Sequence, residues 1–176
     1  MTPKTNAPVL AAPEEPFWRT EGLFSPHYLR HRLPNPHSAA WPDEADSDAV
    51  FQFARGQFDL YHAALKNDTE EECEKKWISL LLERLGFGWN TRKKIPGAAS
   101  LHLPDYLLYA SLELAETAFQ SKQYYPDCLA LLEAKRWGVH LSREGAKTKE
   151  RSPQTQLRDY LSEAVTLNWG ILTNGG

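Results

Sequence analysis

Residues 128–137 read Cys-Leu-Ala-Leu-Leu-Glu-Ala-Lys-Arg-Trp. The apolar run from Cys128 to Leu132 is short for a helix and dense enough to be covered on both faces, which predicts a buried central strand over Cys128–Ala134. Glu133 and Lys135 stand at its end, two residues apart, so both side chains leave the strand on one face. Charges so close to a buried strand are costly unless they have a partner or a task.

Working outward, Leu101–Ala110 (LHLPDYLLYA) predicts a second strand that carries Asp105 to the same face, and Trp89–Ile95 a third, after the break at Gly86 and Gly88. Ser111–Lys122 between the first two fits either a short helix or a long excursion. Cys73, Trp77, Leu80, Leu81 and Leu85 form a helical stripe capped by Asp68 or Thr69 and ended by Gly86. Asp46–Leu65 predicts another helix. Downstream, Pro153 suits a first helical position, Leu157, Tyr160, Leu161 and Ala164 share one face of a helix to Asn168, and Trp169–Thr173 closes as a strand.

The fold class that follows is α/β, a core of helix, three strands, helix and strand with an N-terminal helical arm. Eight of the 12 prolines lie in the first 42 residues, which excludes one long helix there. Residues 1–16 are expected to be disordered, 17–66 to form an arm and helix packed on the core, and 67–176 to be the core itself. With 176 residues, 41% hydrophobic and 24% charged, the chain can bury a core without a metal or disulfide staple. Its two cysteines make no C-x-x-C pair, and no apolar run reaches the length of a membrane span, so a cytoplasmic location is expected. Nucleotide-binding glycine loops are absent from the sequence.

A net charge of −3 provides no global attraction to nucleic acid. Between Lys135 and Arg158, however, seven basic residues face two acidic ones, and Lys147, Lys149, Arg151 and Arg158 are candidate phosphate contacts. Asp105 and Glu133, converging with Lys135 beside them, would make a hard oxygen site for Mg²⁺, with Mn²⁺ as substitute. Gln156 and Tyr160, four apart, share a helix face and can look toward the same edge.

Asp105, Glu133-Ala-Lys135 and Gln156-x-x-x-Tyr160 together resemble the PD-(D/E)xK nuclease superfamily in its RecB-like, Q-x-x-x-Y subgroup. ALLEAKRWG, SPQTQLRDYL and WGILTNG, with LFSPHYL and WISLLLERLGF upstream, are similar to the nuclease module of enzymes that fuse an endonuclease to an adenine methyltransferase, over roughly residues 17–175; type I restriction subunits share part of the pattern. The resemblance implies a restriction-endonuclease-like core, Mg²⁺-dependent hydrolysis of double-stranded DNA and a role in phage defence. It implies metal ligands at Asp105 and Glu133, a catalytic Lys135, and auxiliary Gln156 and Tyr160. It also implies a helix glutamate facing the metal, for which Glu70, Glu71, Glu72 and Glu74 compete; Glu71, six residues before Trp77, is the choice made here. The family pattern would continue past ILTNG into a methyltransferase and specificity region, so a separate partner region is expected. A RecB-like repair nuclease is the alternative within the enzyme class, and a DNA-binding scaffold with a nuclease-like fold is the alternative outside it.

Overall fold

The computed structural model describes residues 44–98, 103–141 and 152–175. Glu44–Gly176 packs as one compact unit, so the expectations for residues 1–16 and for the arm up to 43 lie outside the described residues. Four strands form one mixed sheet in chain order: β1 (Gly88–Thr91), β2 (Tyr106–Tyr109), β3 (Ala130–Ala134) and β4 (Gly170–Thr173). β1, β2 and β3 pair antiparallel, and β3 pairs parallel with β4. β3 is flanked on both sides and all five of its residues are buried; it begins at Ala130, two residues later than the apolar run suggests, with Leu129 exposed outside it.

Alternation along these strands builds two cores. Leu107, Tyr109 and Leu131 point to one face and meet α4 (Leu112–Ser121) and α5 (Pro153–Glu163) through Ala115, Ala118, Leu157 and Tyr160. Tyr106, Leu108, Ala130, Leu132 and Ala134 point to the other and meet Leu65 of α1 (Glu44–Leu65) and the helical run after Thr69. That run has three parts, α2 (Glu70–Cys73), a π turn (Glu74–Ile78) and α3 (Ser79–Arg84). Thr69 starts it with a reciprocal capping box to Glu72, and Gly86 at φ 83° ends it. The wider turn leaves Cys73, Glu74, Trp77 and Ile78 all buried.

Gly88 is required where β1 begins, because a Cβ there would stand 2.1 Å from the carbonyl oxygen of Ser111. Ser111 itself resolves the open segment as a helix: its hydroxyl accepts from the Leu114 N–H, and the helix stops at Lys122 in the left-handed region. Other elements are also shorter than the sequence suggests. The first strand ends at Thr91 because Arg92 turns to φ 51°, and the helix from Pro153 ends at Glu163, although Ala164 and Leu167 stay buried. The strand expected over Leu101–Ala110 is regular only from Tyr106, and residues 99–102 lie outside the described ones.

Leu131, fully buried at the centre of the sheet, should be among the least replaceable residues. Leu131→Ala is expected to cost about 2–5 kcal/mol. Urea denaturation would show this as a lower midpoint at unchanged slope.

Candidate metal centre

The antiparallel register that pairs Tyr106 with Leu132 continues to set residue 105 beside residue 133 at the end of the sheet. Asp105 is held there by the Ala134 N–H, which donates to its Oδ2 at 2.8 Å. Glu133 exposes only 2% of its surface, and Lys135 donates to its Oε1 at 2.7 Å. Lys135 stays aligned because its own N–H donates to the Thr173 carbonyl of β4. The expected convergence of Asp105, Glu133 and Lys135 is therefore present in the geometry.

From the other side of the sheet end, α2 and the π turn bring Glu70 and Glu74. With Asp105 they place carboxylate oxygens within 4.8 Å of one another, a set that could hold a metal ion. Three hard oxygen ligands from partly and fully buried carboxylates fit a divalent cation of the Mg²⁺, Mn²⁺ or Ca²⁺ type. A second feature agrees: Glu133 Oε2 is buried with no hydrogen-bond partner among the described residues. Glu133, expected as a metal ligand, is not one of the three, although Asp105 and Glu70 act on it, and an orphaned buried carboxylate oxygen is expensive unless something positive meets it.

Glu71 is corrected by this arrangement. It lies on the exposed side of the helix in an ion pair with Lys75 at 2.7 Å, and Glu72 is taken up by the Thr69 cap. The reason is helical phase, since residues 70 and 74 lie nearly above one another while 71 is rotated about 100° away. The signal was legible: Glu70, Cys73, Glu74 and Trp77 follow i, i+3, i+4, i+7, so the apolar stripe extended back one turn passes through both glutamates. Arg92 was missed. Its guanidinium lies 3.3 Å from Glu74 Oε1, and no local pattern in the sequence marks that contact.

Gln156 and Tyr160 approach on the α5 face. Gln156 Nε2 donates to the Tyr160 hydroxyl, and Tyr160 is buried. Burial first, and then the charges of Glu133 and Asp105, push its phenol above the usual tyrosine range, so it lies within the field of the site carboxylates. Arg158 is exposed on the same helix beside an open apolar groove of about 440 Å³ lined by Leu141, Leu157, Leu161 and Leu172. Lys147, Lys149 and Arg151 lie outside the described residues.

The electrostatics carry the mark of crowded, buried carboxylates. Burial, with Asp105 nearby, raises Glu133 to about 7 despite the Lys135 hydrogen bond, and burial followed by Asp105 also raises Glu74. For Lys135 burial opposes the charge, but the hydrogen bond to Glu133 and the fields of Glu133, Glu70 and Asp105 outweigh it, and its ammonium is held above the ordinary lysine value. No protein-family model, curated protein or solved structure matches this chain.

A raised carboxylate value has a definite sign in stability. Between its ordinary value of 4.5 and about 7, the folded chain holds the Glu133 proton more tightly than the unfolded chain, so stability falls as pH rises through that window. In EDTA, Glu133→Gln should flatten this slope and raise the thermal midpoint near pH 8. Melting curves from about pH 5 to about pH 8 test it; a variant as steep as the wild type would assign the slope to other groups.

Proposed function

We propose that this chain is a divalent-cation-dependent nuclease module that hydrolyses phosphodiester bonds of double-stranded DNA. The observation that supports it most is the grouping of Glu70, Glu74 and Asp105 within 4.8 Å, with a buried Glu133 nearby whose Oε2 lacks a partner among the described residues. Among the described residues, four carboxylates there meet one ammonium from Lys135 and one guanidinium from Arg92, an imbalance that a dication corrects.

Glu70, Glu74 and Asp105 would hold the cation, Mg²⁺ or Mn²⁺ by ligand chemistry, and Glu133, outside that set, adjoins Asp105 and Glu70. When bound, such an ion polarises a phosphoryl oxygen and makes water a better nucleophile near neutral pH. Glu133, whose Oε2 is buried without a partner among the described residues, would be placed to accept a proton from the attacking water. Lys135 lies 2.7 Å from Glu133 and 3.6 Å from Glu70, and its ammonium has two further N–H donors for a phosphate oxygen as charge grows there. Gln156 and Tyr160, joined to each other, act as positioning residues at the wall of the site.

The resemblance of ALLEAKRWG, SPQTQLRDYL and WGILTNG supports the finer reading, an endonuclease module of a restriction–modification enzyme acting in the cytoplasm. In that setting a methyltransferase and specificity region would choose the DNA sequence. Among the described residues no helix is long and apolar enough to cross a membrane.

The test is calorimetric titration of the full chain with Mn²⁺, alongside nicking of supercoiled plasmid DNA. Asp105→Asn is preferable to alanine, because an acceptor for the Ala134 N–H is retained while the charge is removed. It should abolish both metal binding and nicking. Lys135→Ala should keep metal binding and lower nicking by roughly 100-fold or more, the scale of a lost transition-state donor. Wild-type protein that neither binds Mn²⁺ nor nicks DNA would overturn the proposal.

A further inference from the structure

We infer that Arg92 is a ligand for the substrate phosphate, kept against Glu74 until a divalent cation takes that carboxylate; the inference rests on the metal-centre reading above. Arg92 is the first residue beyond β1 and adopts φ 51°, a left-handed conformation that non-glycine residues rarely hold without being fixed by their surroundings. Its backbone N–H does the fixing: it points at the carbonyls of Pro104 and Asp105, at 3.1 and 3.3 Å. Asp105 also supplies a carboxylate to the acidic triad, so the backbone turn that aims Arg92 is anchored to the same residue that anchors the site.

The side chain bridges two environments. Its guanidinium reaches Glu74, which is 8% exposed, while Arg92 itself is 53% exposed. At 3.3 Å the contact is longer than the 2.7–2.9 Å or so of a tight charge-assisted bond, so it is easily exchanged. The next cation in the chain is occupied elsewhere: the Lys93 ammonium lies over the rings of Phe119 and Tyr124 at 5.3 and 4.8 Å. Arg92, and not Lys93, is thus the cation placed against Glu74. A dication bonded to Glu74 would repel the guanidinium from that oxygen. A phosphate placed between them would satisfy both, and the planar fork of arginine suits two oxygens of one phosphate.

This exchange predicts opposite signs for two measurements. Removing Arg92 takes away a competitor for Glu74, so Mn²⁺ should bind several-fold more tightly. DNA binding in the presence of Mn²⁺ should weaken, by roughly ten-fold for a lost charged hydrogen bond. The variant is Arg92→Gly, because glycine accepts the positive φ without strain. The full chain would be titrated with Mn²⁺ by calorimetry and with a fluorescent, cleavage-resistant phosphorothioate duplex by anisotropy, with and without Mn²⁺. The expected result is tighter Mn²⁺ binding, loss of the Mn²⁺-dependent gain in DNA affinity, and a salt slope reduced by about one. Arg92→Lys, which keeps the charge without the fork, should retain the salt slope and recover only part of the affinity, and it decides the matter should the glycine variant fail to fold. Normal Mn²⁺ binding with unchanged DNA affinity in the variants would overturn the role of Arg92 and leave the metal-centre reading standing. Weaker Mn²⁺ binding with a lower thermal midpoint would mark Arg92 as structural only and also overturn it. Wild-type protein that fails to bind Mn²⁺ would overturn both.

Discussion

Pairing of β2 with β3 holds the site together. Antiparallel strands bring the start of one and the end of the other to the same edge, so Asp105 and Glu133 meet there although 28 positions separate them in the chain. The hydrogen bond from Ala134 N–H to the Asp105 carboxylate extends the ladder by one step through a side chain. A slip of one residue in β2 would turn Asp105 to the face opposite Glu133 and set Leu107 toward the wrong core. β4 makes such a slip harder, since its parallel pairing fixes β3 from the other side and aligns Lys135 through Thr173. The positions of the charged groups are thus stored in backbone hydrogen bonds.

What the ladder positions is electrostatically unfavourable. Glu74, Asp105 and Glu133 are each less than a tenth exposed and share one end of the sheet, where Asp105 disfavours the ionisation of both glutamates. Lys135, Arg92 and the Ala134 N–H offset part of this, and among the described residues Glu133 Oε2 is left over. The stability that tolerates the arrangement comes from elsewhere, from apolar faces on both sides of the sheet and from capped helices. Local conflict at one place, in a chain otherwise consistent from propensity to packing, is the pattern expected where binding is the task. The π turn belongs to the same place, because Glu74 is its first residue.

Strength of local signal separated what could be read from what could not. The apolar run of β3, the Thr69 cap with its stripe, and Pro153 at the start of α5 are decided by neighbours within a turn or two, and each element is present where its residues suggest, within a residue or two. Boundaries were harder. Ile95, Ala164 and Leu167 are buried without belonging to a strand or helix, because the chain turns inside the core and an apolar side chain there keeps the spacing of the element before it. Ser111–Lys122 was ambiguous because Leu112, Leu114 and Phe119 are exposed, which blurs the amphipathic pattern of α4.

For the site, the sequence by itself determined the residue types and the pairing of Glu133 with Lys135 on one face, since strand alternation requires nothing beyond the chain. It also contained the phase that selects Glu70 and Glu74 over Glu71, as both fall on the Cys73–Trp77 stripe. Only the tertiary structure decided that this helix face ends over Asp105, that Glu133 is deep enough to hold its proton to about 7, and that Arg92 turns back toward Glu74. The physical reason is common to all three. Burial, charge proximity and a left-handed backbone turn depend on which segments pack together across the sheet, and spacing along the chain does not encode a distance between residues that meet only after folding.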